Sequence, residues 1–258
     1  MKNKLKNILI TNDDGFNSVG IKLLKDIAKN FADNVFVIAP KINQSAKSRS
    51  ITLNKAIDFE RKSDFEWIID GTPTDCVIFA INSLMKDFKP DLILSGVNAG
   101  CNIGDEVSYS GTVAAAWEGA LRGIDSIALS QFGGDGNLNS YNYAQNAAFK
   151  IIDNIIDLNS DNPLFFNVNF PLSSLFKDDQ IDFLYTKLAN HKIADEIIIS
   201  NNNRSFKIGR MLTKNNNLSY TDLDAIENNK ISITPLSLDL TNIDKFNFLV
   251  NKNNNNVT

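Results

Sequence analysis

The sequence predicts a doubly wound α/β fold on a mostly parallel sheet, followed by a smaller, β-hairpin-rich appendage. Short apolar runs alternate with longer segments of helical period, a polar cluster follows each of the first four runs, and the character of the chain changes after Pro171. The runs at 8–11, 35–39, 67–69, 92–95, 127–130 and 164–168 are the strand candidates. They are continuous apolar stretches rather than alternating ones. That is the pattern of parallel strands covered on both faces by crossover helices.

The helices between them follow from spacing. Ile21, Leu24, Ile27, Ala28 and Phe31 share one helical face, Val77, Ala80, Ile81 and Leu84 a second, and Ala144, Ala147, Ala148, Ile151 and Ile155 a third. These elements assign residues 1–171 to the core. From 172 to 258 the Asn-rich stretches 201–203, 215–217 and 253–256 read as surface loops between short β-like runs, with no clear helix before the last stretch. This appendage has too few periodic apolar segments for a core of its own. Its strands are expected to pair elsewhere, making a homodimer or homotetramer the expected assembly.

Composition narrows the function. With 258 residues, 43% hydrophobic and 22% charged, the chain has ordinary globular proportions. A net charge of -4 and a pI near 5.1 argue against a nucleic acid polymer or an anionic membrane as partner. A small anion would need a local site. The lysines at 2, 4 and 6 precede an apolar run too short for an export signal, and no stretch approaches the roughly 18 apolar residues of a membrane span. The two cysteines, Cys76 and Cys101, are too few for a disulfide framework and read as reduced thiols in a cytoplasmic protein.

Candidate chemistry gathers where the first four strands end. The clusters are "NDDG" at 12–15, "APKINQSAKSRS" at 39–50, "DGTPTD" at 70–75 and "SGVNAGCNIGDEVSYSGT" at 95–112. In an open α/β sheet, ligands bind beyond the carboxyl ends of the strands. Adjacent carboxylates at Asp13 and Asp14 repel by about 4 kcal/mol at ~4 Å and an effective dielectric of 20, and a divalent cation would offset this. Hard oxygen donors suit magnesium, manganese or calcium, with Ser45 and Asn98 as further ligands. Ser110, Gly111 and Thr112 open a helix whose N-terminus would favour a phosphate, and Lys47 and Arg49 are the nearby cations. As turn and cap residues, the same side chains would have only structural work to do. His191, the single histidine, reads as a surface residue, which disfavours Ser-His-Asp and His-zinc chemistry. The absence of G-x-G-x-x-G after the first strand disfavours a dinucleotide-binding dehydrogenase.

Together "ILITNDDG", "GTPTDCV", "PDLILSGVNAGCNIGDEVSYSGTVAAAWEGAL" and "ISITPLSLDLT" resemble the SurE family of survival-protein nucleotidases. The resemblance implies a Rossmann-like core, an oligomerising C-terminal region and metal-dependent hydrolysis of nucleoside 5'-monophosphates, with 3'-monophosphates and short polyphosphate as further substrates. It implies Mg2+ or Mn2+, one ion per subunit, held by Asp13, Asp14, Ser45 and Asn98. Asp13 and Asp14 would be catalytic, and Asn12, Ser45, Arg49, Asn98, Ser110, Gly111 and Thr112 would meet the nucleotide. The second loop departs from the family's usual Asn-Arg-Ser-Gly-Ala-Ser-His-Ser: Gln44 stands in place of a basic residue and Arg49 in place of a histidine. A metal-dependent nucleotide-binding sensor without turnover is the alternative from another class.

Overall fold

The alternating segments build a nine-stranded sheet, with a two-stranded hairpin beside it. The computed structural model describes residues 5–158, 160–176, 181–200, 204–214 and 219–254. The strands are β1 Leu5–Thr11, β2 Ala32–Pro40, β3 Phe59–Ser63, β4 Glu66–Ile69, β5 Leu92–Ala99, β6 Asp125–Gln131, β7 Phe165–Phe170, β8 Phe183–Tyr185, β9 Lys192–Ile199, β10 Phe206–Thr213 and β11 Ile231–Pro235. The helices are α1 Val19–Ala28, α2 Pro73–Phe79, α3 Gly111–Leu121, α4 Asn142–Ile156, α5 Asp222–Glu227 and α6 Ile243–Asn254. Sheet order is β3-β4-β2-β1-β5-β6-β7-β11-β8. From β4 to β7 every neighbouring pair is parallel, while β3 and β11 run antiparallel to β4 and β7.

The continuous apolar runs have a simple cause. In β1, Ile8 and Ile10 pack into the layer beneath α1 and α4, whereas Leu9, one residue out of phase, packs with Cys76 and Val77 of α2 and Ala115 of α3. In β5, Leu92 and Leu94 likewise face one layer and Ile93 the other. Both faces are covered, so every position must be apolar. α3 is rich in Ala and Gly because it lies against the sheet: a Cβ on Gly119 would come within 2.4 Å of Ile93 Cδ1 and Ser126 Oγ. Such small residues let the helix start sit close to β1.

Strand order reverses between β1 and β5, which are parallel: β1 leads leftward to β2 and β4, while β5, β6 and β7 extend to the right. Ligand sites of doubly wound sheets lie at this crevice. Four elements differ from the expectations. The polar, fully exposed β3 adds an unforeseen edge, with charges suited to a strand that faces water. After Pro171, α5 forms where no helix was expected, its start capped by Thr221, whose side chain accepts from the Asp224 N–H. The same region returns β11 and β8 to the central sheet, so these strands find their partners within the chain. The Asn-rich stretches 201–203, 215–217 and 255–256 lie outside the described residues. Among the described residues no helix is long and apolar enough to cross a membrane.

Candidate active site at the sheet crevice

The acidic loop is held by its own first residue. Buried Asn12 donates from Nδ2 to the Gly15 carbonyl at 3.1 Å and to Ser18 Oγ at 2.8 Å, while its Oδ1 accepts from the Gly15 N–H at 3.2 Å. Its amide is thus committed to the turn. Gly15 completes that turn at φ +99°, a conformation costly for residues with a Cβ. The loops are then laced together: Gln44 N–H donates to the Asp13 carbonyl at 2.7 Å, and Ser48 donates to the carbonyls of Tyr109 and Ser108 at 3.0 and 2.7 Å. The "DGTPTD" loop also works structurally. Asp75 accepts from Thr72 N–H, Thr52 N–H and Thr52 Oγ1, closing a capping box at the start of α2.

Asp13 sits at the N-terminus of α3. Its carboxylate accepts from the Thr112 hydroxyl, and the backbone N–H groups of Thr112 and Gly111 favour its charge. The approach is so close that a Cβ on Gly111 would stand 2.8 Å from Asp13 Cβ. Burial nevertheless dominates and pushes the Asp13 carboxyl above its ordinary value. Asp14 accepts from the Ala99 N–H at 2.9 Å. Burial, assisted by the charge of Asp13, raises its carboxyl to about 6. Among the described residues neither acid has a Lys, Arg or His ion-pair partner. Two crowded carboxylates without a countercharge suit a divalent cation.

A cavity of about 540 Å3 opens over this point and brings together Asp13, Ser45, Asn98 and Ser110. Asn98 donates its amide nitrogen to the Gly100 carbonyl at 2.9 Å, and among the described residues no hydrogen bond is made to its oxygen. Ser110 caps α3 through the Val113 N–H and also lines the cavity. Thr112 is fully buried against Asp13. Arg49 goes elsewhere: its guanidinium stacks 4.3 Å above the Trp117 ring, in an adjoining cavity of about 520 Å3 that shares Ser110. No group of three or more His, Cys, Asp or Glu side chains is placed to hold a metal among the described residues. The oxygens gathered at this cavity come from Asp13, the hydroxyls of Ser45 and Ser110 and the amide of Asn98, with Asp14 next to Asp13 in the chain.

Other residues of the site gave no early signal. Asn102, at the cavity wall, is fixed by Asn169, Asn167 and Ser130: its N–H donates to Asn169 Oδ1, its Nδ2 to Ser130 Oγ, and its carbonyl accepts from both Asn side chains. Lys192, Asp195, Ile208 and Met211 reach the same cavity from hairpin β9–β10. His191, expected on the surface, is 6% exposed, because its ring packs against Gly104 and its backbone is tied to Asp105. Both cysteines are free thiols.

The fold has counterparts among known proteins. A family model described as "Survival protein SurE" matches residues 8–195. A protein of Methylobacterium nodulans named "5'-nucleotidase SurE" is 38% identical over 239 residues, 91% of this chain and 94% of its own length. One of the same name from Wolbachia of Drosophila simulans is 39% identical over 247 residues, covering 95% of each. The crystal structure of the SurE protein from Aquifex aeolicus superposes with a TM-score of 0.79 at 30% identity, over 92% of this chain and 96% of the other. Matched by the family model over most of its length and by relatives along more than nine-tenths of it, the chain belongs to the SurE family of 5'-nucleotidases.

Proposed function

We propose that the protein hydrolyses nucleoside 5'-monophosphates, with 3'-monophosphates and short polyphosphate as further substrates, to release inorganic phosphate with the help of Mg2+ or Mn2+. The observation that carries this reading is the adjacent pair Asp13 and Asp14, without an ion-pair partner among the described residues, with Asp13 lining a cavity at the sheet crevice. Oxygens of Asp13, Asp14, Ser45 and Asn98 would hold the ion. When bound, it supplies positive charge for the phosphoryl oxygens and lowers the pKa of a water. Thr112 and the first N–H groups of α3 hold Asp13 in place. The Ala99 N–H binds one oxygen of Asp14, and the other, Oδ1, takes a proton from the attacking water. Ser110 faces the phosphate, and Arg49 beside Trp117 faces the nucleoside end from the adjoining cavity. Asn12 supports the substrate site through the turn it closes.

The division into a catalytic core, 1–171, and an oligomerising appendage, 172–258, belongs to the same proposal. It is supported by the apolar exposure of hairpin β9–β10, where Ile193, Ile198 and Phe206 are open to solvent, and of α6, where Phe246 and Phe248 are. Two or four copies would cover these faces.

A chelator is expected to abolish phosphate release from a panel of nucleoside monophosphates, with recovery on adding manganese. Full turnover by metal-free protein would refute the reading. A second expectation concerns Thr112, whose hydroxyl is spent on Asp13. Thr112→Val removes a charge-assisted hydrogen bond and should lower kcat by about tenfold or more for every substrate alike. Thr112→Ser, which keeps the donor, should recover most of it. An unchanged kcat in the valine variant would show that the contact does not position Asp13.

A further inference from the structure

The cavity over Asp13 is acidic: Asp13, Glu106 and Asp195 line it, with Asp14 beside Asp13. Among the described residues lining it, Lys192 carries the only positive charge. A phosphate monoester dianion entering this space meets repulsion from the acids and attraction from that one ammonium. Of the two cations expected from sequence, Lys47 is not among the residues lining this cavity and Arg49 is held on Trp117 in the neighbouring one. We propose that Lys192 binds the anionic group of the substrate, delivered into the site by hairpin β9–β10; this rests on the nucleotidase reading above.

The geometry is built for presentation. Asp105, in the loop after β5, accepts the backbone N–H groups of His191 and Lys192 at 2.9 and 2.8 Å, pinning the root of the hairpin to the catalytic loop. From that root the Lys192 side chain crosses the ring of Tyr109 at 4.6 Å and donates to its hydroxyl at 3.2 Å. It ends on Asp195 at 2.9 Å. The hydrogen bond that the ammonium donates to Asp195, followed by the one it donates to Tyr109, holds it above its ordinary pKa, so Lys192 stays charged through neutral pH. Asp195 is partly solvated and gives up its partner readily when a doubly charged phosphate arrives. Tyr109 remains as a second contact that keeps the ammonium aimed inward.

Two variants separate substrate binding from a purely structural tether. If Lys192 binds substrate, Lys192→Met should raise KM by about tenfold or more with kcat little changed, and should weaken competitive inhibition by inorganic phosphate in parallel. Lys192→Arg should restore most of both. Asp195→Asn frees the ammonium, so its KM should stay level or fall. If Lys192 only ties the hairpin down through Asp195, then Asp195→Asn should raise KM as Lys192→Met does. That outcome, or an unchanged KM in Lys192→Met, would overturn the proposal. Failure of the nucleotidase reading shows separately, as wild-type protein that releases no phosphate from any substrate. In that event, calorimetric binding of inorganic phosphate in the presence of manganese decides: weaker binding by Lys192→Met than by wild type supports the role of Lys192, and equal binding overturns it.

Discussion

Asp14→Asn and Asp13→Asn are each expected to cut phosphate release by two to three orders of magnitude, about the effect of removing a preorganised charge-stabilising group from an active site. The folded protein should survive both changes. In each case a carboxylate that burial disfavours in its charged form is replaced by a neutral amide of the same shape. For Asp14, the amide oxygen can still accept from the Ala99 N–H. For Asp13, it can still accept from the Thr112 hydroxyl. The metal-free variants should therefore melt no lower than the parent in a thermal scan. If the acids only shaped the turn, the result would invert: melting would fall and turnover would persist. Asn12→Ala provides the contrast, because Asn12 holds Gly15 and Ser18 and should cost stability along with activity.

The sheet was legible because burial on both faces leaves a mark in composition. Ile8, Leu9 and Ile10 must all be apolar when alternate residues face different helical layers. β3 left no such mark. Phe59–Ser63 is an exposed edge whose charged residues resemble a loop, and only its pairing with β4 makes it a strand. The destination of β11 was equally hidden, since the run around Ile231 and Ile233 fits any buried strand and says nothing of the neighbour it joins.

The site was legible where chemistry is local and illegible where it is assembled over distance. Asp13 and Asp14 stand out as adjacent charges beside an apolar strand, and Ser110 as a cap before a helix. Thr112 was visible as a hydroxyl at the helix start, but its use depends on how closely Gly111 lets α3 approach Asp13. Lys192 lies 83 residues from Tyr109 and 87 from Asp105, and no periodicity connects them. Nor does any pattern pick Asn102, Asn167 and Asn169 from a sequence crowded with asparagine. Their role arises from being buried together, where the side-chain amides of Asn167 and Asn169 both donate to the Asn102 carbonyl and Asn169 accepts from its N–H.

Asp222→Ala is expected to produce the largest loss of stability, although residue 222 lies 118 positions from the loop it supports. Its fully buried carboxylate accepts from the Gly104 N–H at 2.7 Å, the Ala189 N–H at 2.8 Å and the Leu223 N–H at 2.9 Å. Three segments meet on one side chain: the loop after β5, the approach to the hairpin, and the start of α5. Alanine would leave these N–H groups without their acceptor, and at about 1–3 kcal/mol for each buried orphan the loss after relaxation should reach roughly 3–4 kcal/mol. For a domain of this size that corresponds to a fall in Tm of about 6–16 °C. Asp222→Asn should fall between the two: its carbonyl oxygen can take the Ala189 and Leu223 N–H groups, but its amide nitrogen then faces the Gly104 N–H, donor against donor. Because Gly104 precedes Asp105, which anchors the hairpin root, loosening it should also shift the Tyr109 and Lys192 contacts and raise KM in the variant that remains folded. A thermal scan of the three proteins, with initial rates measured well below their melting points, checks both effects. An alanine variant that melts within about 2 °C of the parent, a shift worth no more than about 1 kcal/mol, would show that the three segments are held by other contacts.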